Sequence, residues 1–122
     1  NNLENKLLQF NIDDKTLSYF YSNAKAFIFP SLYEGFGIPV LEAFACGCPL
    51  ICSNTSSLPE IASDAAVYFD PLDEKSIETA VFNVLNHQEL SASMIEKGYK
   101  RLEYFSWEKT AQLTEKIYQS II

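Results

Sequence analysis

The sequence predicts an α/β fold of about four parallel strands flanked by helices, followed by three consecutive helices at the C-terminal end. Three observations lead there. Short apolar runs alternate with helix-periodic runs between Lys6 and Phe69. The run Ala26–Phe29 is apolar at every position, as a strand of a parallel sheet covered on both faces is. After Asp73 three helical patterns follow with no strand between them.

Taken in order, Lys6 to Phe10 is expected as the first short strand. Asp13 or Asp14 caps the next helix, whose apolar residues Leu17, Phe20, Tyr21 and Ala24 fall at i, i+3, i+4 and i+7. Ala26–Phe29 fits the middle of the sheet, and a loop from Ser31 to Ile38 follows it. Pro39 opens a helix, since its missing N–H would have no partner at the first helical position. That helix runs to about Cys46, where Gly47 supplies a left-handed stop and Pro49 prevents continuation. Leu50–Cys52 is the next strand. Ser57 and Glu60 form an S-x-x-E capping box over a short helix around Leu58–Ala62, and Ala66–Phe69 is the fourth strand. Ile77, Ala80, Val81, Val84 and Leu85 then mark one amphipathic helix. Leu90, Met94, Ile95 and Leu102 mark a second, which contains Gly98. Ser106 caps a third with the stripe Trp107, Ala111, Thr114, Tyr118 and Ile121. No repeat or linker interrupts the pattern, so residues 1–122 read as one domain.

Composition narrows the function. With 48% apolar residues in 122, one buried core can form. A net charge of −7 argues against nucleic acid as a partner, because phosphates need Lys and Arg gathered on one face. No apolar run approaches the roughly 20 residues of a membrane span. Residue 1 is Asn and no leader pattern follows, so a cut or processed chain is expected. Cys46, Cys48 and Cys52 lie close together in apolar surroundings, while the single histidine, His87, is distant. That ligand set falls short of a zinc site, so reduced core cysteines in a cytoplasmic protein are expected, with no metal and no cofactor.

Pro30, Gly35, Gly37, Pro39, Gly47, Pro49, Pro59 and Pro71 all fall between residues 30 and 71, where loops leave the carboxyl ends of strands. In a doubly wound sheet such loops form the ligand crevice. Within them lies EGFGIPVLE, residues 34–42. Gly35 and Gly37 allow close backbone approach, and Val40 and Leu41 are expected to present free first-turn N–H groups that attract an anion. A diphosphate could be held there by backbone dipoles in an acidic chain. Glu34 before the helix and Glu42 in its expected first turn could each grip the hydroxyls of a sugar ring. Spacing alone leaves the plainer alternatives open: a solvated loop residue for Glu34, a dipole-favoured helix residue for Glu42, and a core aromatic for Phe36. No dinucleotide or P-loop glycine fingerprint is present.

The run FIFPSLYEGFGIPVLEAFACGCPLICSNTSSLPEIASDAAVYFDP, with FSWEKTA downstream, resembles the C-terminal donor-binding domain of the group 1 (family 4) glycosyltransferases. The pair Glu34 and Glu42, with seven residues between them and set in EGFG-x-P-x-x-E-A-x-A-x-G-x-P, carries that resemblance. It implies the Rossmann-like half of a two-domain GT-B enzyme that moves a sugar from a nucleotide-diphosphate sugar to an acceptor, with retention and without metal. By position, Glu34 would contact the transferred sugar near the reacting carbon and Glu42 the ribose. Gly35, Phe36, Gly37 and Ile38 would line the sugar and phosphate region, with the Val40 and Leu41 amides on the phosphates. Ser31 would be a helper or a turn former. The family's preceding strand, Gly-rich stretch, and Arg and Lys pair have no match here, since Lys6 and Lys15 do not correspond. The chain is therefore expected to be a donor-domain fragment whose N-terminal acceptor domain lies elsewhere in the same polypeptide, with no transfer activity alone. A homodimer through the exposed sheet edge, and a cytoplasmic location, peripheral to the membrane's inner face through the missing domain, are further expectations. The competing function is a noncatalytic binding or regulatory module on the same framework.

Overall fold

The computed structural model describes residues 6–121. Its elements are α1 (Asp14–Asn23), β1 (Phe27–Phe29), α2 (Ile38–Ala45), β2 (Leu50–Ser53), α3 (Leu58–Ala62), β3 (Ala66–Phe69), α4 (Glu74–Asn86), α5 (Gln88–Leu102) and α6 (Trp107–Ile121). A 3₁₀ turn over Ser63–Ala65 joins α3 to β3. The strands form one parallel sheet in the order β1-β2-β3, with Ile28 beside Ile51 and Ile51 beside Val67. Parallel neighbours cannot be joined by a tight turn, and α2 and α3 supply the two crossovers.

Local chemistry sets the ends of the helices. The Asp13 carboxylate accepts the Thr16 N–H at 2.8 Å, Asp73 that of Lys75 at 3.0 Å, and the Ser106 hydroxyl that of Lys109 at 3.3 Å. The bonds from Thr16 hold the Asp13 carboxyl below its usual range. Gly47, at φ 65°, takes the left-handed conformation that ends α2.

The core lies on both faces of β2, all four of whose residues are buried. Successive side chains of a strand point to opposite faces. Leu50 and Cys52 therefore join Val40 and Phe44 of α2 and Leu58, Ile61 and Ala62 of α3. Ile51 joins Phe69, Ala80 and Val84 of α4, and Met94 of α5. Helix α5 reaches both clusters. Its Gly98 lies so close to Phe44 that a Cβ there would stand 2.8 Å from the ring's Cδ1.

Four sequence expectations need correction. Lys6–Phe10 is not a strand: Leu7, Leu8 and Phe10 are exposed, and the Phe10 ring tilts against Phe20 of α1 at 5.4 Å. No neighbouring strand among the described residues offers it a ladder, so extended pairing brings it nothing. The sheet thus has three strands among those residues, and β1 lies at one side with Ile28 42% exposed, while β2 takes the middle. The Ser57 hydroxyl makes no cap bond to α3 and is bonded elsewhere. Helix α2 begins at Ile38, one residue before Pro39, which moves Glu42 into the second turn. The third C-terminal helix forms as expected, yet none of its described residues is buried. Among the described residues no helix is long and apolar enough to cross a membrane.

Candidate functional site

The loop between β1 and α2 holds Glu34, Gly35, Phe36 and Gly37 of the expected site, and the next loop along the sheet straps it down. Four hydroxyls at positions 53, 55, 56 and 57 meet three of its carbonyls and that of Phe29 at the end of β1. Ser53 donates to Phe29 O at 3.4 Å and Thr55 to Ser31 O at 3.3 Å. Ser56 bonds Glu34 twice, donating to its carbonyl at 2.7 Å and accepting its N–H at 3.2 Å. The Ser57 hydroxyl hydrogen is shared between Glu34 O at 3.0 Å and Phe36 O at 2.8 Å. Ser56 makes its two bonds from φ 56°, a left-handed conformation that non-glycine residues seldom adopt. The half-buried Glu34 thus sits on a main chain fixed from one side. Ser31 donates to Tyr33 O at 3.1 Å, which is the turn-forming role.

Phe36 is neither fully buried nor free. It is 39% exposed, with its ring edge-on to Phe105 at a centroid distance of 5.7 Å. Phe105 in turn lies under the Arg101 guanidinium, 5.0 Å away, and Arg101 donates to the Ile61 and Glu60 carbonyls of α3. Ile38 is exposed beside it, whereas Val40 is a fully buried core residue and Leu41 half-buried.

The two glycines differ. Gly37 caps α2 at φ 104°, and a Cβ there would stand 3.0 Å from Leu58 Cδ2, so the fold itself requires glycine. Gly35 has no positive φ, and a Cβ on it would meet nothing within 4 Å. Among the first-turn amides, that of Val40 is bonded to Gly37 O at 3.0 Å, which corrects its expected freedom. Pro39 has none, and the Ile38 N–H has no partner among the described residues.

Glu42 faces another way. Its Oε2 accepts the Tyr21 hydroxyl at 3.4 Å, on the side of α2 that meets α1. Burial, helped by the Glu42 charge, pushes the Tyr21 phenol up to about 12, so it stays a donor across the physiological range. Tyr21, Glu42, Asp14, Leu17, Ser18 and Cys46 line a cleft of about 260 Å³. Glu34 is outside it. The two glutamates therefore follow the same strand but open on different sides of the loop. A larger hollow of about 410 Å³, between β3 and α4, is lined by none of the expected site residues.

The cysteines form no bridge with one another. Burial pushes Cys48 up to about 11, with a contribution from Cys46, and Cys52 up to about 12. Thiols so held are poor nucleophiles and poor metal ligands at neutral pH. Among the described residues no three His, Cys, Asp or Glu side chains gather as a metal set.

Sequence reasoning missed Tyr21 as a partner of Glu42, and the hydroxyl strap. The signal for the strap was present: four hydroxyl residues within five positions, starting at the end of a buried strand.

A family model for "Glycosyl transferases group 1" matches residues 1–101, a span that includes both glutamates, both loops and the whole sheet. This chain belongs to the group 1 glycosyltransferases. It is similar to the O-antigen chain mannosyltransferase B of Escherichia coli, 38% identical over 108 residues that cover 88% of this chain and 28% of that protein. A serotype-specific mannosyltransferase of Escherichia coli is 39% identical over 106 residues, covering 84% of this chain and 12% of that one. Among solved structures, sucrose-phosphate synthase from Thermosynechococcus elongatus superposes with a TM-score of 0.83 at 27% identity, over 94% of this chain and 30% of that one. The chain spans less than a third of the length of each. The Rossmann-like arrangement expected of a group 1 glycosyltransferase is thus the arrangement found, with one strand fewer among the described residues.

Proposed function

We propose that the complete polypeptide transfers a mannosyl unit from a nucleoside-diphosphate sugar to an acceptor hydroxyl with retention of configuration, and that this chain supplies part of the donor site. The mannosyl assignment rests on the names of the two curated relatives. One structural observation carries the site: Gly35, next to Glu34, is a glycine that neither backbone conformation nor packing requires. The open space at its Cα suits the close passage of a substrate.

In this reading the bond between the anomeric carbon and the diphosphate oxygen breaks, and its electron pair leaves with the diphosphate. The acceptor oxygen forms the new bond on the same face, and its proton passes to the departing diphosphate oxygen. Glu34 stands beside the sugar and orients it or stabilises the positive charge that develops at the anomeric carbon. Glu42 accepts the ribose hydroxyls while Tyr21 fixes its other oxygen. The unpartnered Ile38 amide and its neighbour Leu41 face the diphosphate at the start of α2, and Phe36, Gly37 and Ile38 wall the passage. The Arg and Lys that neutralise the diphosphate, and the acceptor-binding domain, come from the rest of the polypeptide, so the chain alone is inactive. No metal takes part, and the free buried thiols suit a reducing, cytoplasmic setting.

The test is steady-state kinetics of the complete polypeptide with GDP-mannose and a mannoside acceptor. Glu34→Gln is expected to lower kcat by about a hundredfold, the order found for removing one transition-state-stabilising group. Glu42→Gln is expected to raise the donor KM about tenfold, and excess chelator to change neither constant. Unchanged kinetics in both variants would remove the assigned site.

A further inference from the structure

We propose that Ser56 and Ser57 are positioning residues for transfer: they fix the main chain of Glu34, and through it the reach of its carboxylate toward the sugar. The inference rests on the reading of Glu34 as the sugar-side group and adds to it a device that neither the family motif nor its spacing contains. Its ground is the bonding already described. The N–H and carbonyl of Glu34 are both held by the one Ser56 hydroxyl, at 3.2 and 2.7 Å. The Ser57 hydroxyl bridges the carbonyls on either side of Gly35, those of Glu34 and Phe36.

Three features set these bonds apart from ordinary loop packing. First, they are spent on the residue where position matters. Gly35 has no side chain to anchor the loop, and a Cβ there would meet nothing within 4 Å. Its backbone is therefore free to move unless something outside the loop holds it, and Ser57 holds both neighbours. Second, Ser56 keeps its place at φ 56° although it is not glycine, in the left-handed region that disfavours a Cβ. Glycine would relax that conformation but lacks the hydroxyl that reaches Glu34. Third, Ser57 stands where a capping box would use its hydroxyl for α3, and the structure directs it to the loop instead. Both serines follow β2, the most buried strand, whose own Ser53 and the adjacent Thr55 tie the base of the same loop to it. Glu34 is thereby referred to the rigid centre of the sheet. A displacement of about 1 Å at a reacting group is enough to lower a rate a hundredfold.

The experiment uses the complete polypeptide and GDP-mannose, with kcat, donor KM and melting midpoint measured for Ser56→Gly, Ser57→Ala, Ser57→Thr and Glu34→Gln. Each serine deletion is then repeated in the Glu34→Gln background. The expected result is a kcat about tenfold lower in Ser56→Gly and Ser57→Ala with donor KM within about twofold, and recovery in Ser57→Thr, which keeps the hydroxyl. In the Glu34→Gln background a misplaced side chain with nothing left to contribute is expected to cost less than about twofold further. Should Ser57→Ala fail to fold, Ser56→Gly decides alone, because glycine relieves the left-handed strain. A wild-type kcat in the foldable serine variants, or the same tenfold loss in the Glu34→Gln background, would overturn the positioning role. A Glu34→Gln enzyme with wild-type kinetics would instead overturn the reading of Glu34 beneath it.

Discussion

The loop around Gly35 and the crossing of α2 with α5 at Gly98 are built on the same residue for opposite reasons. At Gly98 there is no room: a Cβ would stand 2.8 Å from Phe44 Cδ1 and 3.1 Å from Cγ. At Gly35 there is nothing but room, and order comes from hydroxyls across the loop rather than from packing. One glycine lets two helices approach, and the other leaves a passage open. The same letter in the sequence therefore marks a packing requirement in one place and, in the proposed reading, room for substrate in the other.

The widest separation between the two regions is expected from enlarging each glycine. Gly98→Val forces the Phe44 ring out of its place between α2 and β2, and overpacking of this kind destabilises by about 1–3 kcal/mol. A domain of this size then melts some 4–8 °C lower for each kcal/mol. Adding Phe44→Leu, which clears the ring, is expected to return part of the loss. Differential scanning calorimetry of the two variants measures both effects, and an unshifted melt in Gly98→Val would mean that the crossing is looser than its geometry.

Gly35→Ala is expected to behave the other way. The unfolding free energy stays within about 0.5 kcal/mol of the parent, as for surface changes that touch nothing. Transfer by the complete polypeptide falls about tenfold, equivalent to roughly 1.4 kcal/mol of transition-state stabilisation. A stable variant with full activity would leave Gly35 without a role, and a strongly destabilised one would place it in the same class as Gly98.

The closed region is also expected to answer to pH. Cys48, Cys52 and Tyr21, with ordinary values of 9.0, 9.0 and 10.0, are held up to about 11, 12 and 12, chiefly by burial. Their folded values lie above their unfolded ones, so the stability linked to their neutral forms is fully present below about pH 9. It is lost as pH rises toward 11 and 12, at a slope that approaches about 1.4 kcal/mol per group and pH unit. A melting midpoint that is flat from pH 6 to 8 and falls above 9 is expected, with a shallower fall in Cys52→Val. A fall of equal slope in that variant would dissociate the effect from the buried thiol.

Where the sequence was legible, a short-range signal decided the outcome. Asp13 and Ser106 cap the helices they precede, Gly47 ends α2, and the stripe Ala80 and Val84 faces Ile51, because each needs only its near neighbours in the chain. Glu34 and Glu42 were legible as a pair through the motif around them, but not the different sides on which they open. Lys6–Phe10 is a short, mainly apolar run that reads as a strand, and the missing term is a neighbour to pair with, which no local pattern contains. Ser57 shows the same limit from another side. Its S-x-x-E spacing satisfies the capping rule, yet Phe36 O at 2.8 Å offers its hydroxyl a partner 21 residues away in sequence.

The smallest effect is expected on α6, which extends the contrast between packed and open surface to a whole helix. Helices α5 and α6 are both fifteen residues long and each carries an apolar stripe, the sharper of the two on α6. Met94 and Gly98 of α5 are buried, whereas Trp107, Leu113, Ile117, Tyr118 and Ile121 of α6 are all at least half exposed. Periodicity places a stripe on a helix, but only a partner surface buries it, and the stability of the folded unit follows the burial. Leu113→Ser in the isolated chain is therefore expected to shift stability by no more than about 0.5 kcal/mol. Met94→Ala in α5, which opens a cavity between Ile51 and Val84, is expected to lower it by about 2–5 kcal/mol. Urea unfolding of both variants, followed by circular dichroism, gives the two numbers on one scale. Equal losses would mean that α6 is packed in solution against a surface outside the described contacts, and light scattering of the chain would then show whether that surface belongs to a second copy.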